Sequence, residues 1–452
     1  MMQEVGVKRY VTDGTKRFEC ESLRWRPTAR VPEMQLVKVY PQVRYQRVIG
    51  FGAALTEASG YVYAQMSEQA RREFVDLCFG ADGNRYSLAR TSIQSCDFSL
   101  VPRSYVSDPS DRSLATFSID DDYAYVLPLV FAACAKNADL EVLATPWSPP
   151  KWAKTNRNMK LGGRLVRKHY DMWARMIARY VAEYRALGVP VTRLTVQNEP
   201  QAVQTWESCL FSAAEEGEFL ARSLKPALHE VGLDDVKVLA WDHNKERVFD
   251  RAAELLEDEG AAAQLDGVAF HWYSGDHFEA LRAVRELVGP DRELIFTEGC
   301  DAYSAGDRSR EIPHAEHYAH EIIGDLEAGA NAILDWNILL DERGGPNHVG
   351  NFCDAPIMYD TRARVMHVRA PFYYLGHFSR FIAPGAQRIL STRYTTDLET
   401  CAFANPDGSY VLVVLNRTSC DIPFGLAWGE KAMSRRVTHT HAPAHSIQTI
   451  VW

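Results

Sequence analysis

Eight times between residues 47 and 340 the chain repeats one pattern: a short apolar, β-branched run, a polar loop, then a segment of helical period. The runs are RVIGFGAAL (47–55), YSLARTSI (86–93), LEVLATPW (140–147), RLTVQNEP (193–200), VKVLAWDH (236–243), DGVAFHWY (266–273), ELIFTEGC (293–300) and NAILDWNIL (331–339). Helices are predicted at 67–79, 120–137, 169–188, 212–232, 244–258, 277–289 and 314–329, with a short one near 368–379. In the 212–232 segment Ser212 and Glu215 make a capping box, and Pro226 predicts a kink. Strands that alternate with helices pair in parallel, because each helix carries the chain back to the same end. Eight such units close into a (β/α)8 barrel. The competing architecture, a doubly wound open sheet, needs a Gly-rich phosphate loop after a strand. None is present, and the Gly-Phe-Gly at 50–52 is read as close backbone packing.

The chain ends differ from this pattern. From about residue 386, short β-rich runs are separated by turn signals such as Pro406-Asp407-Gly408, with no helical period. That predicts an antiparallel sandwich. The stretches KRFECESLRWRP and MQLVKVYP near the start are also strand-like and have no place in a barrel. The expected assembly is a barrel over 46–380, with a β-sandwich built from 1–45 and 381–452 beside it.

A formal charge of −9 with no basic stripe excludes a nucleic-acid partner, which would need clustered Lys and Arg. The N-terminus has no apolar leader core, and the apolar stretch YVLPLVFAAC (125–134) is too short to span a bilayer. The nine cysteines are scattered, odd in number and free of CxxC pairs. Buried thiols in a reducing compartment fit that better than disulfides or a zinc site, so a cytoplasmic location is expected. His314, His317 and His320 step around a helix by about 60° each, too widely to share one ion, and are read as a solvated face. No metal and no cofactor is expected.

Barrel chemistry sits where strands end. Those positions hold Asp97, Trp147, Asn198, Glu199, Asp242, His243, His271, Trp272, Tyr273, Glu298, Trp336 and Asn337. Glu199 and Glu298 each end an apolar strand, so two carboxylates can flank one bond. One protonates a leaving oxygen while the other attacks or activates water, which is the logic of glycoside hydrolysis. Trp147, Trp336 and Tyr273 at the rim offer flat apolar faces to a sugar ring. Asp97, Asn198 and Asn351 can hydrogen-bond hydroxyls, while His271 either touches sugar or orients its aromatic neighbours. Cys300, two residues past Glu298, either lines the pocket or is an inert core thiol.

The stretches GFGAALTEAS, SCDFS, TPWSPPKWAKTN, QNEP, AFHWY, FTEGC, DWNILLDERGGPNHVGNFCDAPI, FYYLGHFSRFI and NPDGSYVLVVLNRTS run in order over essentially the whole chain. Together they resemble glycoside hydrolase family 30, and most of all its acid β-glucosidase (glucosylceramidase) branch. The resemblance implies a retaining mechanism on a (β/α)8 TIM barrel with an attached β-sandwich. It places Glu199 as acid/base with a raised pKa and Glu298 as nucleophile, with the carboxyls about 5–5.5 Å apart. It also implies a sugar pocket lined by Asp97, Trp147, Asn198, His271, Tyr273, Trp336 and Asn351, with Arg90 steadying the glutamates and Asn198 holding the sugar 2-hydroxyl. The loops at 101–117 and 201–211 are shorter than in lysosomal-type members, so ceramide does not carry over as aglycone.

The expectation is an exo-acting retaining β-glycosidase that removes a terminal β-glucosyl unit from a small β-glycoside or oligosaccharide. β-Xylosidase, β-fucosidase and endo-β-1,6-glucanase specificities are alternatives within the family. A catalytically silent carbohydrate-binding protein is the rival of another class, although it has no reason to keep both Glu199 and Glu298. The oligomeric state stays open, a homodimer included.

Overall fold

A computed structural model describes residues 6–27, 35–106, 108–429 and 436–452. Parts of the expected N-terminal sandwich segment (1–5 and 28–34) lie outside the described residues.

Eight parallel strands close into a barrel in chain order. They are β1 (Gly50–Ala54), β2 (Leu88–Ile93), β3 (Glu141–Pro146), β4 (Val191–Thr195), β5 (Lys237–Asn244), β6 (Gly267–His271), β7 (Glu293–Glu298) and β8 (Ala332–Asn337). Leu88, Leu143, Leu239, Ile295 and Leu334 fill the interior below the catalytic end. The strands pack outward on a sleeve of helices, among them Tyr170–Ala186 and Glu311–Ala328. None of the described helices is long and apolar enough to cross a membrane.

Two local features depart from expectation. An additional helix, Glu57–Gln65, follows β1 directly, capped by the Thr56 side chain and almost wholly buried along its first turns. Around Pro226 the expected continuous helix is interrupted. A π-type turn, Leu220–Leu224, joins the helices Ala213–Phe219 and Lys225–Glu230. The wider turn accommodates a residue that has no N–H to donate.

Three interruptions in strand register act on the site. Opposite β6, Trp241 pairs with Ala269 and His243 with Phe270, so Asp242 is an extra residue. In the same way Thr297 is extra between β6 and β7, and Trp336 between β8 and β1. Bulges of this kind re-aim side chains at the ends of strands.

Both chain ends enter one curled ten-stranded sheet that forms the β-sandwich. Its strand Ser446–Val451 lies between Val7–Thr12 and Tyr410–Asn416. Val37, Leu412, Val414, Phe424 and Ile450 fill its core. The helix Ala370–Ser379 joins sandwich to barrel, and its buried His377 bridges Thr12 (2.8 Å) and Thr449 (2.9 Å) from the two ends of the chain.

Candidate active site

The strand ends surround a cavity of about 360 Å³. Asp97, Trp147, Asn198, Glu199, Tyr273, Glu298, Trp336 and Asn351 all line it. Arg90 and His271 do not; both are completely buried beneath it.

Arg90 is the hub of the floor. Its Nη1 donates to Glu298 Oε2 at 2.5 Å, its Nη2 to Asn198 Oδ1 at 2.9 Å and to Asp242 Oδ2 at 3.0 Å, and its Nε to Thr145 Oγ1 at 3.2 Å. The guanidinium also lies over the rings of Trp147 and Trp336, 4.8 and 5.5 Å from their centres. Tyr273 donates its hydroxyl to the other oxygen of Glu298 at 3.0 Å. Glu298 is therefore held at both oxygens.

Asp242 is placed by the bulge to meet these groups. It accepts from Thr195 (2.7 Å) and Thr297 (2.5 Å) and lies 3.1 Å from His271 Nε2. Burial opposes its ionisation, but the Arg90 charge, followed by His271 and Thr297, holds its carboxyl well below the usual range. Burial likewise opposes charge on His271, yet Glu298, Asp242 and Glu199 lift it to about 9. At neutral pH the floor thus holds a guanidinium and an imidazolium beneath a group of carboxyls.

Glu199 occupies the left-handed backbone region at φ 46°. That costs a residue with a Cβ about 1–2 kcal/mol. The conformation is enforced by Asn198 N–H donating to Pro146 O (2.9 Å) and Glu199 N–H to Asp242 O (3.0 Å). Gln204 Nε2 donates to Glu199 Oε2 at 3.3 Å. His271 Nδ1 lies 3.5 Å from Glu199 Oε1 and has no well-formed hydrogen bond of its own. The raised pKa expected for Glu199 is not found. Burial pushes its carboxyl up, but His271, His243 and Gln204 together bring it below the ordinary value. The titratable donor nearest to Glu199 is the imidazole of His271, ahead of His243 at 3.9 Å.

Asp97 accepts from Asn351 Nδ2 at 3.0 Å. Burial, then the Glu298 charge, raises its carboxyl to about 7. Below that pH it can donate to a hydroxyl as well as accept from one.

Three expectations need correction. Of the two readings of His271, contact with sugar gives way to the orienting one: the ring is completely buried beneath the cavity with Asp242 at its far nitrogen. Trp147 and Trp336 are not at the rim. They stack on each other at 5.4 Å with Arg90 against both, which leaves them only 2 % and 3 % exposed. The histidines His314, His317 and His320 are not a solvated face either. They are packed against acids: Asp354 lies 3.4 Å from His314, Asp301 3.1 Å from His317 and Glu399 2.6 Å from His320.

Gln204, Trp206, His243 and Phe352 also line the cavity, as do the free thiols of Cys300 and Cys353. His243 stood among the polar strand ends, but nothing in sequence singles out Gln204.

One atom each of Glu199, His271 and Glu298 lie within 4.8 Å of one another. Distance alone would admit a metal ion. However, Arg90 and Tyr273 already occupy both Glu298 oxygens, and the protonated His271 offers no lone pair.

A parallel barrel that sets two carboxylates this close at the base of a polar and aromatic cavity defines a class of enzyme, the glycoside hydrolases. Comparison with known proteins makes the assignment specific. The chain belongs to glycosyl hydrolase family 30: residues 48–382 match the model of its TIM-barrel domain and 385–450 that of its β-sandwich domain. It is 32% identical over 433 residues to the lysosomal acid glucosylceramidase of Mus musculus, covering 92% of this chain and 83% of the relative. Among solved structures it is similar to SrfJ from Salmonella typhimurium, with TM-score 0.95, 37% identity and 99% of each chain covered. It is also similar to the endo-β-1,6-glucanase BT3312, with TM-score 0.89, 26% identity and 99% of each chain covered.

Proposed function

We propose that the protein is a retaining, exo-acting β-glycosidase that removes a terminal β-glucosyl unit, with Glu298 as nucleophile and Glu199 as acid/base. The observation that carries this reading is the approach of the two carboxyls within 4.8 Å, with Glu298 clamped by Arg90 and Tyr273. Inverting enzymes need a gap of about 6.5–9.5 Å to seat a water between the two groups.

In the first step a Glu298 oxygen bonds to the anomeric carbon. The glycosidic C–O bond breaks and the leaving oxygen takes a proton from Glu199. In the second, Glu199 takes a proton from water, the water oxygen attacks the anomeric carbon, and the bond to Glu298 breaks. Two inversions restore the β configuration. Asn198 has its carbonyl oxygen engaged by Arg90, which reserves its N–H groups for a sugar hydroxyl. Glu199 receives the proton for the first step from His271 Nδ1 and passes the proton taken from water back to it after the second, while Asp242 keeps the imidazole in place through Nε2.

The mouse relative named as a glucosylceramidase supports a glucosyl specificity, and a cavity of about 360 Å³ supports the removal of single end units. The likeness to a glucanase keeps endo-β-1,6 cleavage as a second reading. Nitrophenyl β-glucoside, xyloside, fucoside and galactoside, assayed beside glucosylceramide and a β-1,6-glucan, separate the two. Oligosaccharides from the glucan without release of glucose would transfer the assignment to the endo reading.

Two variants test the roles. Glu199→Ala should regain turnover of an activated aryl glucoside when azide is added, giving a β-glucosyl azide; an α product would overturn retention. His271→Gln should lower kcat about 100-fold on glycosides with poor leaving groups, and far less on nitrophenyl glycosides, which leave without a proton. Equal losses on both would remove His271 from the proton path.

A further inference from the structure

The outer wall of the cavity is built from three loops, which follow β2, β4 and β8. They supply Asp97, then Gln204 and Trp206, then Asn351 and Phe352. His348 sits where the three meet. Its backbone N–H donates to Asp97 O at 3.3 Å, and its Nδ1 lies 3.1 Å from Ser99 O. Its Nε2 is 3.2 Å from Glu207 Oε2, and the other Glu207 oxygen accepts from Ser95 Oγ at 2.6 Å. Both side chains are buried, Glu207 completely.

Among the described residues, neither His348 Nε2 nor Glu207 Oε2 has any other partner. With His348 protonated the contact is a buried ion pair. Burial would push Glu207 up and His348 down, yet each is moved the opposite way by the other. The surrounding charges are few. Lys160, bridged to the backbone of Glu207, opposes protonation of His348. Lys154 is turned to the carbonyls of Met159 and Ser208, and Arg103 is committed to Glu57 and Asp122. Asp97 meets His348 through its backbone and Asn351 through its carboxyl.

We propose that Glu207 and His348 are a positioning pair that buckles the three loops together and sets how tightly the cavity grips its sugar. The pair keeps Asn351 on Asp97 and the Gln204 loop against Glu199. Neither residue touches the reacting atoms, so its loss acts on binding more than on bond cleavage.

His348→Gln and Glu207→Gln should each raise KM for nitrophenyl β-glucoside about tenfold, with kcat kept within about threefold. The double variant should be no worse than either single one, because both remove the same pair. His348→Lys, which keeps a cation, should recover most of the affinity. Wild-type KM should rise with pH as His348 loses its proton, a rise missing from His348→Gln. KM values within about twofold of wild type, or a double variant equal to the product of the singles, would overturn the proposal. The kinetic readout rests on the glucosidase reading, but hydrogen exchange does not. Amides of residues 347–353 should lose protection by about tenfold in His348→Gln. Unchanged protection would overturn the buckle whether or not any glycoside is hydrolysed.

Discussion

Glu298→Gln is expected to lower kcat on every β-glycoside the wild type cleaves by on the order of 10⁵-fold, because an amide cannot form the covalent intermediate. The fold should survive the change. Arg90 keeps Asp242 and Asn198 as partners, and the new amide oxygen can still accept from Arg90 or Tyr273. A stability loss of about 1 kcal/mol is therefore expected, read from the denaturant midpoint. Turnover within tenfold of wild type would remove Glu298 from the nucleophile's role.

Arg90→Met should damage stability and activity together. It leaves Asp242 and Glu298 buried at the floor without their shared cation. Removing one partner of a buried ion pair costs about 3–5 kcal/mol, because the charge left behind is uncompensated. Activity should fall by on the order of 10³-fold, since Glu298 loses the donor that aims it. Arg90→Lys separates the two effects. The ammonium restores charge, and with it most of the stability. It cannot reach Glu298, Asn198, Asp242 and Thr145 at once, so kcat/KM should stay low. A lysine variant with full activity would show that charge alone suffices.

The barrel is legible because its strands are near-continuous apolar runs that end on polar residues, and those ends define a mouth. The helix Glu57–Gln65 is not legible, because it buries Glu57, Ala58, Ser59, Gly60 and Val62 together and so lacks a polar face to mark its period. Asp242 shows why strand ends alone do not yield the site. Asp242 and His243 read as polar residues at a strand end, but no partner for them can be read there; an extra residue in the register turns Asp242 to Arg90 and His271. Alternation of period two cannot announce such a bulge, because the partner strand determines it. The pKa of Glu199 was hidden for a related reason. Burial and nearby carboxyls argue for a rise, but they are outweighed by two histidines that arrive from β5 and β6. His314 and its neighbours look solvated until the acids Asp301, Asp354 and Glu399 arrive from other segments.

The way the two chain ends share one sheet has a consequence for the order of synthesis. Val7–Thr12 leaves the ribosome first, but the strand it borders, Ser446–Val451, is made more than four hundred residues later. At elongation rates of about 5–20 residues per second, the early strand waits roughly 20–90 seconds for its partner. The barrel can close once Ala332–Asn337 has been made, but throughout the wait Val7–Thr12 and the hairpin it forms with Glu19–Leu23 present an open edge to other nascent chains. Loss of residues 446–451 would make that wait permanent, turning a competent barrel into an aggregating polypeptide.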